Sequence, residues 1–415
     1  MNKLDCDVLI IGGGINGCGI AADASSRGLK VVLCEQGDLA QETSSASSKL
    51  IHGGLRYLEQ YDFGLVRKAL KERELLFKLC PHLIHPLAFV LPHQQHLRPF
   101  WLIRLGLFLY DHLSHTQVSK TKILRRKTQP NYFSQLREKI HKGFLYYDGQ
   151  TIDSRLVIAN AQQAKKNQAI ILTRTQFINT ERSATHWLSK LKSTQGSIEV
   201  KSKILVNAAG PWTAQLNQLI GIDCPYKLIP VQGSHFVVPK LYDGEHAYIL
   251  QNSDNRIIFT IPYMKDFTLV GTTDTKLSAL PTKIKMTTAE KNYLLELVNS
   301  YFTVQLAATD IVHEYCGIRP LIENDTEQNA KNISRDFKIY SDNQQAPYTC
   351  ILGGKLTTFR VLAKECVDGW KTFLPNLPKC QTHRTALPGG NFENIETYKK
   401  MLQKKYNSKN SVKPK

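Results

Sequence analysis

The sequence predicts an α/β chain in two units, one built on a parallel strand–turn–helix crossover and the other rich in β-strands. Three observations carry this. The chain has 415 residues, more than one ordinary core encloses, so two units are expected. An apolar run at 4–11 leads through three glycines into an alanine-rich stretch with helical periodicity. The second half holds β-rich runs at 234–239, 247–251, 256–261 and 268–271, joined by short turns.

Taken in order, 4–11 suits a buried parallel strand, 15–27 a helix stopped by Gly28, and 31–35 the next strand. Residues 62–80 alternate apolar and charged side chains at helical spacing, and Pro81 ends them. Prolines and histidines break up 81–150, where a basic stretch runs from Lys120 to Lys127. A helix is predicted at 153–166, short strands over 168–209 and a helix at 289–302. A strand at 349–352, a Gly353-Gly354 turn and a helix at 357–372 follow. Residues 398–415 are polar and lysine-rich and are expected to fray, or to act as a polybasic segment worth about 1 kcal/mol per lysine near anionic lipid. No internal repeat is present.

Composition narrows the function. An apolar fraction of 42% is ordinary for a folded chain. The formal net charge of +19 points to an anionic partner (a phosphorylated molecule, a lipid surface or nucleic acid) or serves solubility alone. Nine scattered cysteines without a CxxC pair argue against a disulfide framework or a metal site and for a reducing cytosolic setting. The N-terminal apolar run is too short and lacks a cleavage-site pattern, so no signal peptide is expected. No uninterrupted apolar stretch reaches the ~18–20 residues of a spanning helix. The nearest, 100–113, is interrupted by Arg104 and Asp111 and reads either as an interfacial helix or as a core helix.

Gly12-Gly13-Gly14-Ile15-Asn16-Gly17 fits G-x-G-x-x-G. Gly12 allows the tight turn, Gly14 lets a pyrophosphate approach the backbone, and Gly17 lets helix and strand pack closely. The helix start presents N–H groups and a positive dipole end to phosphate. Glu35 ends the second strand 18 residues after Gly17, where a carboxylate meets a ribose hydroxyl. The fingerprint does not separate NAD from FAD. Gly53-Gly54 and Gly353-Gly354 mark further close approaches, which a flavin buried along its length requires. No GxSxG elbow is present, and Gly354-Lys355 lacks the upstream glycine of a P-loop.

From residue 4 to near residue 390 a series of motifs then appears in fixed order. They are IGGGINGCGIAADASSRGL, TSSASSKLIHGGLRYLE (43–59), LPHQQHLRPFWLIRLGLFLYDHL (91–113), NAAGPW (207–212) and QGSHFVVP (232–239). ILQN (249–252), GTTD (271–274), GIRPL (317–321), SRD (334–336) and GGKLTTFR (353–360) complete the series. In these segments the chain resembles the FAD-dependent glycerol-3-phosphate dehydrogenases of the aerobic, membrane-associated bacterial kind. The resemblance implies a glycine oxidase/D-amino-acid oxidase-like fold. A Rossmann-like FAD-binding domain would take 1–85, 150–220 and 345–372. An antiparallel-sheet substrate domain would take 86–149 and 221–344, with 373–415 as a C-terminal remnant.

It also implies oxidation of glycerol 3-phosphate to dihydroxyacetone phosphate by FAD, with electrons passed to membrane quinone. The setting would be an anionic membrane surface, the cytoplasmic face of the inner (plasma) membrane, or the cytoplasm. A homodimer is open, and no nucleic acid partner is expected. Arg319 and Arg335 are placed at the phosphate dianion, since arginine supplies forked donors. Arg56 and Lys355 are placed near the reacting centre, and Thr272, Thr273 and Asp274 around the substrate. His235 is the candidate base for the C2 hydroxyl, or alternatively a packed strand histidine. Ser44, Ser45, Ser47, Ser48, His52, Gly53, Gly54, Gly210, Gly353, Gly354, Leu356 and Thr357 are the further candidate flavin contacts. The family's proteins usually continue into a helical C-terminal domain, and the resemblance implies that it is missing here, which bears on dimer formation, overall stability and full activity. Two other readings stand beside this one: a flavin-dependent amino-acid oxidase of the same fold, and an inactive basic flavoprotein.

Overall fold

The computed structural model describes residues 2–55, 58, 62–94, 97–113, 118–254, 256–323, 336–392 and 394–406. Two sheets organise these residues. The first runs, in spatial order, Lys338–Asp342, Tyr348–Leu352, Gly196–Asn207, Asn2–Ile11, Val31–Cys34 and Ile170–Leu172. Its pairings are parallel except at the Lys338–Asp342 edge. An antiparallel hairpin, Thr175–Arg182 with Trp187–Ser193, continues from Gly196–Asn207.

The strand residues explain this layering. Successive side chains point to opposite faces. Val8, Ile10, Val31, Leu33, Ile204 and Val206 pack on the helices Ile15–Ser26, Asp153–Lys166 and Phe359–Asp368. The intervening Leu9, Ile11, Val32, Cys34 and Leu205 pack with Trp187, Leu216 and Tyr348. Being apolar on both faces, the strands read as continuous runs without alternation.

The second sheet has ten strands. It is antiparallel except where Ile84–Pro92 lies beside Ala247–Gln251. Its centre is the long strand Leu228–Pro239, paired with Phe267–Gly271 on one side and His313–Ile322 on the other. Helix Thr288–Tyr301 covers one face, and helices Phe63–Leu79 and Phe100–His112 cover the other. Local signals start these helices where the sequence places them. Asp62 accepts from Leu65 N at 3.1 Å. Thr287 and Glu290 form a reciprocal capping box.

Three expectations change. Leu50–Ile51, placed by sequence in the flavin unit, pairs with Gly149 and Gln150 in the second sheet. A two-residue strand carries no periodicity to read. Lys338–Asp342, placed in the substrate unit, is the polar edge of the first sheet. Residues 398–406, part of the 398–415 stretch expected to fray, belong to a helix over Ile395–Tyr406, whose start the Asn394 side chain caps by accepting from Glu396 N and Thr397 N at 2.8 and 3.2 Å.

Helix Phe100–His112 resolves its two readings by face. Ile103, Leu107 and Tyr110 are buried, whereas Trp101, Leu102, Leu105 and Phe108 are exposed, Trp101 by 67%. Among the described residues no helix is long and apolar enough to cross a membrane.

Candidate flavin and substrate site

Two connected chambers lie at the carboxyl ends of the parallel strands. They share Gly14, Thr43, Ser44, Ala208, Gly210 and Pro211 as walls. The first, of about 290 Å³, runs along Glu35 and Thr175 to Trp212. The second, of about 300 Å³, opens between the two sheets and reaches Arg319 and Lys355.

The glycine loop is shaped by close contact. Gly12 has φ +115°, and a Cβ there would fall 2.4 Å from the Ala208 carbonyl oxygen. A Cβ on Gly17 would fall 2.0 Å from the Gly12 carbonyl oxygen, so helix and loop meet backbone to backbone. Gly14, at the helix start, supplies no side-chain cap of its own. Glu35 accepts from Gly13 N and Gly37 N, both at 2.7 Å, which fixes the loop against the strand end. Ser44 Oγ accepts from Ile15 N at 3.0 Å.

A dinucleotide fits this arrangement. The glycine cradle leaves backbone at the cavity wall, and the helix start faces it with its positive end. The buried Asn16 Oδ1, on a residue lining the second chamber, has no hydrogen-bond partner.

At the chamber's middle the loop carrying His52 meets the turn Leu356–Thr358. His52 N donates to Thr357 Oγ1 at 3.2 Å, and Thr357 Oγ1 donates to the His52 carbonyl at 3.4 Å. Gly353 and Gly354, at φ +71° and +94°, lead into that turn. His52, Gly54, Gly353, Gly354, Lys355, Leu356 and Thr357 all line the chamber.

Arg319 stands at the far end. Its guanidinium donates to Thr272 Oγ1 at 2.8 Å, to the Thr273 carbonyl at 3.2 Å and to the Asp274 carboxylate. Gly233 is the floor beneath it, since a Cβ there would lie 2.3 Å from Arg319 Nη2. Thr272, Asp274 and Arg319 line the chamber. The QGSH, GTTD and GIRP motifs thus converge because their strands are neighbours in the second sheet.

Several predicted contacts take other roles. Gly53 is turned away from the chamber. Its N–H donates to Tyr110 Oη at 2.8 Å, and a Cβ would meet Leu70 at 2.5 Å. Ser45 Oγ is spent on the Gln41 and Glu42 carbonyls of its own turn. Thr273 faces Glu290 rather than substrate. His235 is 2% exposed and is not among the residues lining the chamber. Its Nε2 lies 2.8 Å from Ser48 Oγ, and Ser48 does line it. Burial, reinforced by Arg319 and Lys49, holds this imidazole well below its ordinary pKa. A buried ring that resists a proton, with a serine between it and the chamber, is a poor base for substrate. Ser47 lines the chamber and donates to Asp153 at 2.7 Å. Arg56 and Arg335 lie outside the described residues.

Three residues escaped the sequence reading. Glu290 accepts from Ser234, Thr273 and Thr275 hydroxyls on one oxygen and from Gln232 and Thr287 on the other. Its T-x-x-E signature was legible, its role behind the substrate loop was not. Asp148, on the chamber wall, binds Arg73 at 2.7 Å and Tyr110 at 2.8 Å, and no local motif marks it. Gly233 is marked only by the motif that contains it.

Comparison with known proteins agrees with this geometry. The FAD dependent oxidoreductase (DAO) family profile matches residues 7–344. A glycerol-3-phosphate dehydrogenase of Pseudomonas aeruginosa is 47% identical over 96% of this chain and 78% of its own length. An aerobic glycerol-3-phosphate dehydrogenase of Escherichia coli is 43% identical over 96% and 80%. A D-erythritol 1-phosphate dehydrogenase of Brucella abortus is 42% identical over 97% and 81%. Among solved structures, a glycerol-3-phosphate dehydrogenase of Bacillus halodurans complexed with FAD superposes with TM-score 0.76 at 28% identity, covering 96% of this chain and 71% of that one. Glycine oxidase of Geobacillus kaustophilus shares the fold, with TM-score 0.66 at 17% identity over 92% and 95%. A glycine cradle for a dinucleotide, an arginine-ended chamber beside it, and relatives spanning almost the whole chain lead to one assignment: the chain belongs to the FAD-dependent glycerol-3-phosphate dehydrogenase family.

Proposed function

We propose that this protein oxidises glycerol 3-phosphate at C2 to dihydroxyacetone phosphate and passes the electrons to a quinone while resting on a membrane. The observation that carries the reading is the position of Arg319 in a chamber that also holds the glycine loop, His52 and the Gly353–Thr357 turn. A phosphate ester bound there directs its carbinol carbon toward the cofactor. Arginine's planar fork suits the phosphate oxygens, and Asp274 with Thr272 hold that fork in place. The bound FAD supplies the hydride acceptor. The substrate proton leaves to a group on the chamber wall, where His52 and Lys355 stand, in place of the buried His235.

The outward face of helix Phe100–His112 supports the membrane part of the reading. Trp101, Leu105 and Phe108 project from it while its inner face is packed, the pattern of a helix lying in a lipid interface. The net charge of +19 favours anionic lipid.

Anaerobic addition of glycerol 3-phosphate to the purified yellow protein is expected to bleach the flavin, and a quinone analogue to restore it. A flavin-loaded protein that the phosphate ester never bleaches refutes the reading. The near-equal similarity to an erythritol-phosphate enzyme makes erythritol 1-phosphate the second substrate to test. Faster bleaching by it would move the assignment to the longer polyol phosphate.

A further inference from the structure

Ser48 and His235 form a pair for which the reaction above has no task. We propose that Ser48 donates a hydrogen bond to the flavin ring and that His235 holds its hydroxyl in the donating orientation. The proposal rests on the flavin reading of the chamber.

The argument begins with the proton on the imidazole. A neutral ring carries one N–H, on Nδ1 or on Nε2. Nδ1 is buried and has no hydrogen-bond partner, whereas Nε2 is 2.8 Å from Ser48 Oγ. A proton on Nδ1 would leave a buried N–H without an acceptor, and orphaned N–H groups are the rarer and costlier defect. The proton therefore sits on Nε2 and is donated to Ser48. Ser48 Oγ then accepts, and its own single O–H points elsewhere. Ser48 lines the chamber, so its hydrogen is directed into it.

The ring is neutral and immobile. Burial disfavours the charged form, and the nearby Arg319 and Lys49 disfavour it further. Tyr315 stacks on the ring with centroids 4.9 Å apart and planes 13° from parallel. The Tyr315 hydroxyl is committed to the Ser47 carbonyl at 2.9 Å, so it does not serve Nδ1. Against the ring also lies Gly271, where a Cβ would fall 2.2 Å from Cδ2.

The chain's path selects the flavin as the acceptor. Four residues before Ser48, Ser44 holds Ile15 N at the helix start. Four residues after it, His52 is tied to Thr357 on the opposite wall. The stretch 44–52 thus runs along the chamber wall with Ser48 midway, where it would face a flavin held between the glycine loop and the Leu356–Thr358 turn. A fixed donor at the ring stabilises the negative charge gained on reduction and so raises the flavin's potential.

The test measures flavin midpoint potentials by dye equilibration in wild type, Ser48→Ala, His235→Leu and His235→Gln. Ser48→Ala is expected to lower the reduced-to-oxidised ratio at fixed potential about tenfold, or about 30 mV for a two-electron couple. His235→Leu should shift the same way, because Ser48 loses the donor that orients it. His235→Gln places an amide N–H near the position of Nε2 and should return the potential toward wild type. A Ser48→Ala protein with full flavin and an unchanged potential overturns the proposal, as does a Gln variant that behaves like Leu. Nitrogen-15 NMR of the wild type reads the tautomer without any variant, and a proton on Nδ1 also overturns it. A wild type that binds no flavin refutes the flavin reading instead.

Discussion

Replacing Glu290 with glutamine tests whether a buried carboxylate holds the substrate loop. Glu290 is 6% exposed and accepts six hydrogen bonds, between 2.7 and 3.1 Å. Burial alone would raise its pKa, but the donors, led by Thr287 N and Thr273, outweigh it and hold it below the ordinary value of 4.5. Glutamine keeps the shape. Its oxygen can still serve Thr287 and Gln232, while its NH₂ must face three hydroxyls that now have to accept. Charge-assisted bonds are about twice as strong as neutral ones, so the substitution should cost about 3 kcal/mol.

Urea unfolding of the flavin-saturated protein measures this. The pH dependence gives a second signature. A carboxylate with a depressed folded pKa contributes stability that is fully present above its unfolded value. That contribution is lost as pH falls through the folded value, because the unfolded chain binds the proton first. Wild type should therefore lose stability from about pH 4.5 downward through this group, and Glu290→Gln should lack that part of the acid slope. A loss under 1 kcal/mol with an unchanged acid slope would refute an ionised hub. Because Thr273 precedes the Asp274 that grips Arg319, the KM for phosphorylated substrate should also rise.

Gly233→Ala should displace Arg319, since the added methyl would sit 2.3 Å from Nη2. Steady-state kinetics should show KM for glycerol 3-phosphate raised at least about tenfold, the weight of one lost charged contact, with flavin content unchanged. Cys224 should alkylate first among the cysteines near pH 7. Its pKa is lowered to about 7 by a hydrogen bond from Cys350, whereas burial pushes Cys6, Cys34 and Cys80 up to about 12. Mass spectrometry after brief iodoacetamide treatment checks this, and equal labelling at Cys34 would contradict it. Trp101→Glu should weaken sedimentation with anionic vesicles while leaving KM for the soluble substrate unchanged. Wild-type-like vesicle binding would remove the helix from the membrane face.

The opening strand–turn–helix–strand of the first sheet was legible because it follows from local chemistry. The glycine loop, the alanine-rich helix and the acid at the second strand's end all act within 35 residues of the N-terminus. The second site was legible only as a set of motifs. Arg319, Gly233 and Thr272 are far apart in the chain and meet because Leu228–Pro239 pairs with both neighbouring strands, a fact no periodicity encodes. His235 shows the same limit in reverse. Histidine in a Gly-Ser-His motif suggests a base, but strand alternation does not reveal that a serine from residue 48 stands between it and the chamber. Asp148 was invisible because its partners, Arg73 and Tyr110, come from two helices that precede it by tens of residues.

The described strands carry the chain from the first sheet to the second and back, so that four connections cross between them: 34–50, 151–170, 207–228 and 322–338. A joint made of one linker swings, whereas four crossings lock the two halves like a bound spine. Substrate entry and product exit then depend on local movement of loops at the chamber mouth. Neither half can be cut out and expressed by itself, because the strands of the two sheets alternate along the chain.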